Sequence, residues 1–114
     1  MRVPDDTLYL EHIRECIELI EAYIRDMHDL EAFLADRKTQ DAVLRNLQVM
    51  AESTQRLSSD LKAERAEIAW GSISGLRNVL VHAYLGINLA TVWRIVRSDL
   101  PALKIVVIET LTER

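Results

Sequence analysis

The sequence predicts an all-α fold, an antiparallel bundle of four or five helices built from a single domain over residues 1–114. The chain has 114 residues, the size of one domain, and only three glycines and two prolines interrupt it. Apolar residues recur at steps of three and four, the period of an α-helix. No segment has the pattern of a strand, and no linker or internal repeat divides the chain.

The first helix is predicted to begin at Asp5, Asp6 and Thr7, whose side-chain oxygens and negative charge suit a helix N-terminus. One apolar stripe follows, made of Leu10, Ile13, Ile17, Ile20 and Ile24. This stripe is broad for so small a bundle, and we therefore expect dimerisation through a helix face.

The middle of the chain is predicted to contain a brief helix over 30–35, a charged connection at 36–38 and a long helix with Thr39 as its N-cap. The long helix carries a bundle seam of Val43, Leu47, Met50, Thr54 and Leu57. Residues 58–60 mark its end or a kink, and 61–69 form a short helix or an irregular turn.

Three elements are predicted in the remainder. A helix over Trp70 to Tyr84 has Ile73, Leu76 and Leu80 as its inward residues and ends near Gly86. Asn88 caps the next helix, and 98–101 begins the last one, since proline is tolerated in a first turn.

Charge and cysteine content exclude several classes of protein. The net charge of −4 disfavours a protein that coats nucleic acid, although a small basic pocket acting on RNA is compatible with it. One cysteine, Cys16, cannot form an intramolecular disulfide, and with no signal peptide visible it predicts a reducing, cytoplasmic setting. No apolar run approaches the roughly 20 residues of a membrane span, so we expect a soluble protein.

The segment from Arg77 to Tyr84 concentrates polar chemistry on one helix. Asn78 and His82 are four residues apart and share a stripe, whereas Arg77 and His82 are five apart and diverge by roughly 140°. A long arginine side chain, a local bend or a second copy of the motif across a dimer axis would bring Arg77 and His82 together. We favour the homodimer.

These residue types suit cleavage of an RNA phosphodiester. A histidine can act as general acid and base near neutral pH, a guanidinium can bind the phosphate, and Asn78 can orient the imidazole. RNA carries its own nucleophile, the 2′-hydroxyl, so neither a metal nor a cofactor is required. On spacing alone, however, an arginine and a histidine on one helix are more often surface or capping groups.

The segment Ile68 to Tyr84 closely resembles the signature of HepT-like proteins of the HEPN superfamily, and 41–50 and 92–103 look like the same family. Ala69 and Ala51 depart from residues common in relatives, which leaves the subfamily open. The resemblance implies a HEPN-type helical bundle that forms a homodimer with its Arg-x4-His motifs, Arg77 and His82, at a shared cleft.

The resemblance also implies a function. Many members are toxins of prokaryotic toxin–antitoxin pairs and act as metal-independent endoribonucleases on tRNA or mRNA. The partner antitoxin is a nucleotidyltransferase of the MntA type, which can transfer AMP from ATP to the tyrosine two residues after the histidine, here Tyr84.

Two alternatives stay open. Instead of a ribonuclease, the chain would be a non-catalytic subunit that presents substrate or nucleotide to a nucleotidyltransferase, which the negative charge favours slightly, or a purely structural adaptor, which leaves the polar cluster unexplained. Elsewhere we expect a buried Cys16, exposed His12 and His28 that form no zinc site, and Trp70 and Trp93 as core or interface anchors.

Overall fold

A computed structural model describes residues 5–82 and 88–114, and for 77–79 and 81–82 it describes the backbone alone. Within those ranges every regular element is helical, which confirms the predicted all-α class. The elements are α1 (Asp6–Tyr23), α2 (Leu30–Leu34), α3 (Arg37–Gln55), α4 (Ser59–Glu64), α5 (Trp70–His82), α6 (Leu89–Arg94), a π-helical turn (Ile95–Asp99) and α7 (Leu100–Thr112).

Contacts between helix ends show that neighbouring helices run antiparallel. The start of α1 meets the end of α3, where the Asp6 carboxylate accepts hydrogen bonds from Ser58. The end of α7 meets the start of α1, where Arg114 Nε donates to Thr7 Oγ1 at 2.8 Å. The long elements are α1, α3, α5 and the continuous α6–α7, and the short helices α2 and α4 lie between the first three of them. The prediction of four or five helices therefore matches the number of long elements in the described residues.

The core is formed by the apolar faces that the sequence predicts. All five members of the α1 stripe are buried, and they pack with residues of α2, α3, α5 and α7 in one cluster. Phe33 of α2 is fully buried, with its ring 5.3 Å from that of Trp93. Because the α1 stripe is covered by its own chain, it offers no face for a second copy, and the homodimer stays a prediction. None of the described helices is both long and apolar enough to cross a bilayer.

The start of α3 differs from the prediction. Asp36, not Thr39, is the N-cap, because its carboxylate accepts hydrogen bonds from the Thr39 N–H at 3.0 Å and the Thr39 hydroxyl at 2.8 Å. These bonds lower the pKa of the Asp36 carboxyl. Arg37 and Lys38 therefore belong to the first turn of α3 and not to a charged connection. The predicted Asp5 and Asn88 caps are confirmed.

The last part of the chain also differs. Residues 98–101 are predicted to begin the last helix, and α7 does begin at Leu100 with Pro101 in its first turn, but no break precedes it, because helical structure continues from α6 through the π-helical turn. A π turn spaces hydrogen-bonded residues five apart, as shown by the Leu100 N–H that donates to the Ile95 carbonyl, and it brings Arg94 and Asp99, also five apart, within reach of each other. Asp99 consequently makes no capping bond, and its carboxylate lies 3.3 Å from Arg94 Nη1.

Candidate functional site

Helix α5 carries the predicted motif, and its beginning is anchored on two sides. Trp70 is buried, and its indole Nε1 donates to the backbone oxygen of Arg65 at 3.0 Å. The Arg65 guanidinium reaches the end of α7, with Nη2 2.5 Å from Glu109 Oε1 and Nη1 3.7 Å from Glu113 Oε1. The Glu109 hydrogen bond is the main cause of the raised pKa of Arg65. The start of α5 is therefore held by the Trp70–Arg65 hydrogen bond and, through Arg65, by the end of α7.

Further along, α5 is held in rotation as well as position. Leu80 is buried, and Ile73 and Leu76 pack against the core, as predicted. On one flank, Ser74 Oγ lies 3.3 Å from Thr54 Oγ1, and the Ser74 carbonyl accepts from Gln55 Nε2 at 3.2 Å. These contacts with α3 set which face of α5 points away from the core.

The face opposite Leu80 contains half of the predicted motif. At about 100° per residue, Asn78 and His82 lie roughly 160° around the helix from Leu80. Gly71 and Gly75 lie on the same stripe, both are exposed, and, among the described residues, no atom beyond the adjoining residues and backbone of α5 comes within 4 Å of a Cβ atom built at either position. The backbone thus places Asn78 and His82 on a stripe whose earlier turns are open to another molecule.

The backbone does not bring Arg77 and His82 to one point. α5 is regular α-helix through His82, so the two residues differ by roughly 140° around the axis and about 7.5 Å along it. A π-helical turn aligns the five-residue pair of Arg94 and Asp99, but α5 has no such turn. The side chains of Arg77, Asn78 and His82 lie outside what the structure describes, and Tyr84 and the predicted helix end at Gly86 lie outside the described residues.

Other residues from the sequence stand as follows. Cys16 is buried. Its burial is the main cause of the raised pKa of its thiol, and the negative charge of Glu15 raises that pKa further. His12 and His28 are exposed as expected. Among residues 5–82 and 88–114, no three His, Cys, Asp or Glu side chains are grouped to hold a metal ion. Trp93 packs on Phe33, and the Arg97 guanidinium lies 5.2 Å from the centre of its ring.

The net charge of the whole chain hides an uneven distribution of acidic residues along the sequence. Residues 68–98 contain three arginines and neither aspartate nor glutamate, although the chain has 18 acidic residues. This segment includes all of α5 and α6. No carboxylate of this segment therefore repels a polyanion that approaches α5.

A family comparison decides which family this architecture belongs to. The model of the HepT-like ribonucleases matches residues 13–110, which is most of the chain and includes the whole of α5. The chain belongs to the HepT-like ribonuclease family. Its fold is accordingly a HEPN-type bundle. No solved structure matches this HepT-like chain.

Individual relatives agree with the family match. A protein from Thermococcus cleftensis named probable ribonuclease HepT is 42% identical over 96 residues, which cover 84% of this chain and 86% of the relative. A putative RNase from Methanocaldococcus jannaschii is 35% identical over 97 residues, 85% of this chain and 79% of that protein. A second protein of that organism, named gamma-glutamylcyclotransferase and putative RNase, is 32% identical over 109 residues, which are 96% of this chain but only 49% of the relative.

Proposed function

We propose that this HepT-like protein is a metal-independent endoribonuclease that acts as the toxin of a toxin–antitoxin pair. The observation that carries the proposal is the placement of Arg77 and His82 on α5, a helix whose position and rotation are fixed by the core, by Arg65 and by Ser74. Fixed placement matters because catalytic groups must be held close to productive geometry. Relatives named as ribonucleases support the same reaction class.

The reaction is an internal transesterification. His82 accepts the proton of the RNA 2′-hydroxyl, whose oxygen attacks the adjacent phosphorus while the 5′-oxygen leaves and takes up a proton. Arg77 neutralises charge that develops on the phosphoryl oxygens. The products are a 2′,3′-cyclic phosphate and a 5′-hydroxyl. Asn78, on the His82 stripe, orients the imidazole.

The working site is assembled from two chains. On one α5 helix the two groups diverge by roughly 140°, whereas a two-fold axis beside the exposed stripe lets Arg77 of one protomer approach His82 of its partner.

The first experiment measures cleavage of short single-stranded RNA in excess EDTA and identifies the product ends. His82→Ala should reduce the rate by about 10²- to 10⁴-fold and Arg77→Ala by about 10²- to 10³-fold. His28→Ala and Arg45→Ala are matched controls, since both residues are exposed and lie outside the motif. Full activity of His82→Ala, or 3′-hydroxyl products, would show that the assigned chemistry is wrong.

The second experiment tests the two-chain site by complementation. When Arg77→Ala and His82→Ala chains are denatured, mixed and refolded, half of the randomly paired dimers are mixed, and each carries one complete site. Activity should return to about a quarter of the wild-type value. If every site lay within one chain, the mixture would stay as inactive as either variant.

Neutralisation involves Tyr84 and a nucleotidyltransferase partner of the MntA type. Transfer of AMP from ATP to the phenol oxygen releases pyrophosphate and leaves a bulky anion two residues from His82, which repels the phosphates of RNA. After co-expression with such a partner, intact mass should increase by one AMP residue per modified chain. Tyr84→Phe should remove that increase and remain toxic in the presence of the partner. A mass increase that persisted in Tyr84→Phe would assign the modification elsewhere.

The net charge of −4 favours a second candidate, a non-catalytic subunit that presents substrate or nucleotide to the nucleotidyltransferase. The same cleavage assay separates the two functions. A binding subunit gives no cleavage with or without its partner, whereas the endoribonuclease cleaves alone.

A further inference from the structure

A pocket of about 280 Å³ opens beside α5, where α3, α6, the π-helical turn and α7 converge. Its volume is just below the roughly 300 Å³ at which pockets for drug-sized ligands begin, a size that suits one planar ring system. Most of its wall is apolar, formed by Met50, Ile73, Leu76, Ile95, Leu100 and Leu103.

The mouth of the pocket is polar. Arg94 Nη1 and Asp99 Oδ2 lie 3.3 Å apart, with side chains 59% and 56% exposed. An exposed ion pair contributes little to stability, so both groups can exchange this contact for bonds to a ligand. The exposed residues Ser72 and Thr91 also line the pocket. A guanidinium donor and a carboxylate acceptor therefore stand side by side above apolar walls.

The pocket is close to the proposed catalytic residues. Leu76, in its wall, lies about 9 Å along the α5 axis from His82. Around the helix, exposed Gly75 comes between Ser72 at the pocket and His82, and no other described element comes within 4 Å of a Cβ atom built there. An RNA strand can cross α5 at Gly75, with one nucleotide at the pocket and its neighbour near His82.

We propose that this pocket binds an unstacked guanine of the RNA, next to the phosphodiester that is cleaved; this rests on the proposed ribonuclease function. Sequence-specific RNA recognition uses bases turned out of the stack, held between apolar or planar groups and hydrogen-bonded at their edges. Guanine alone among the four bases offers two adjacent donors, N1–H and N2–H, to both oxygens of the Asp99 carboxylate, and an acceptor, O6, to Arg94. An apolar side chain from a second copy would leave this donor and acceptor unused.

The test separates recognition from cleavage by using two sets of RNA. Binding is measured by fluorescence anisotropy with 2′-O-methyl pentauridylate that carries one central guanosine, adenosine or cytidine, a probe that cannot be cleaved because its 2′-oxygen is blocked. Cleavage is measured with the corresponding unmodified RNAs in EDTA. The protein should bind the guanosine probe about tenfold or more tightly than the others, and it should cleave beside guanosine.

Asp99→Asn should reduce the preference for guanosine about tenfold or more in both assays, while circular dichroism stays unchanged because the side chain is exposed. Asp41→Asn is the matched control. Asp41 forms a similar 3.3 Å pair with Arg37 on the surface of α3 but lines no part of the pocket. Its base preference should equal that of the wild type.

The outcomes distinguish this proposal from the proposed function. Cleavage without base preference, or a preference that Asp99→Asn leaves intact, overturns the guanine pocket and leaves the ribonuclease standing. Guanosine binding that depends on Asp99 but occurs without cleavage supports the pocket and contradicts the ribonuclease. If Asp99→Asn changes the sedimentation coefficient and not the base preference, the pocket belongs to an interface between copies, and the proposal is wrong.

Discussion

Hydrogen bonds between Asp6, at the start of α1, and Ser58, at the start of α4, join two helix starts that are 52 residues apart in sequence. Removing these bonds should lower the free energy of unfolding. The Asp6 carboxylate accepts from the Ser58 N–H at 2.8 Å and from the Ser58 hydroxyl at 2.6 Å. The same hydroxyl oxygen accepts from the Leu61 N–H at 3.2 Å, which makes Ser58 the N-cap of α4. Asp6 is only 7% exposed, so water replaces these bonds poorly.

The magnitudes follow from the bonds that each substitution removes. Ser58→Ala loses the cap, worth about 1 kcal/mol, and the charge-assisted hydroxyl bond, worth about 1.5–3 kcal/mol. Asp6→Ala loses two bonds to its carboxylate, from the Ser58 hydroxyl and from the Ser58 N–H, and we expect a loss of about 3–6 kcal/mol. The hydroxyl bond is counted in both single variants. The double variant should therefore be more stable than the sum of the two losses implies, by about 1.5–3 kcal/mol.

Urea unfolding of the four proteins of this cycle, followed by circular dichroism, measures that coupling energy. All four are compared at one protein concentration, so that the proposed dimerisation, which would make the apparent stability depend on concentration, does not affect the comparison. Each kcal/mol lost should lower the melting temperature by about 4 °C in a chain of this size. Additivity to within about 0.5 kcal/mol would refute the shared bond between Asp6 and Ser58.

Three further predictions test the core, the cysteine and the α3 cap. Phe33→Ala should cost about 3–5 kcal/mol in urea unfolding, since the ring is fully buried against Trp93, and a loss below about 1 kcal/mol would contradict that packing. Cys16 should react with iodoacetamide at pH 8 far more slowly in the folded protein than in urea, because burial and Glu15 raise the pKa of its thiol; equal rates would contradict its burial. Asp36→Ala should have a lower free energy of unfolding than the wild type above pH 3.8, the ordinary pKa of an aspartate carboxyl. This difference should shrink as the pH falls through the lowered pKa that the Asp36 carboxyl has in the folded protein. A difference independent of pH would show that the charge of Asp36 does not contribute.

Local patterns predicted most of the helices because each pattern lies within the element it specifies. The α1 stripe and the Asp5 cap need no distant partner to be recognised. The predicted start of α3 was wrong because Asp36 and Thr39 are both residue types that cap helices. A contact outside the local pattern decides which of the two is the N-cap. Gln40 Nε2 donates to the carbonyl oxygens of the last two α2 residues, and this places the turn between the helices at Asp36.

The π-helical turn could not be predicted from local sequence for a different reason. Pro101 signals a helix start, but the segments on both sides of the turn must present apolar residues to one core: Val92 before the turn, Leu100 and Leu103 after it. One extra residue in a turn changes the rotation of everything that follows, so only the packed core determines whether the chain breaks or inserts a π turn. The pocket at Arg94 and Asp99 was missed for the same reason, since its walls come from elements distant in sequence.

The distribution of charge reconciles an acidic chain with a substrate that is a polyanion. Of the 18 acidic residues, none lies in 68–98, where α5, its exposed glycine stripe and the three arginines of this segment are found. The carboxylates nearest in sequence, Glu67 and Asp99, are each paired with an arginine, and this reduces their repulsion of phosphate. The charges close to α5 act on a bound strand more directly than the net charge of the whole chain does. The acidic composition that favoured a non-catalytic subunit thus loses most of its weight once the charges are placed on the helices.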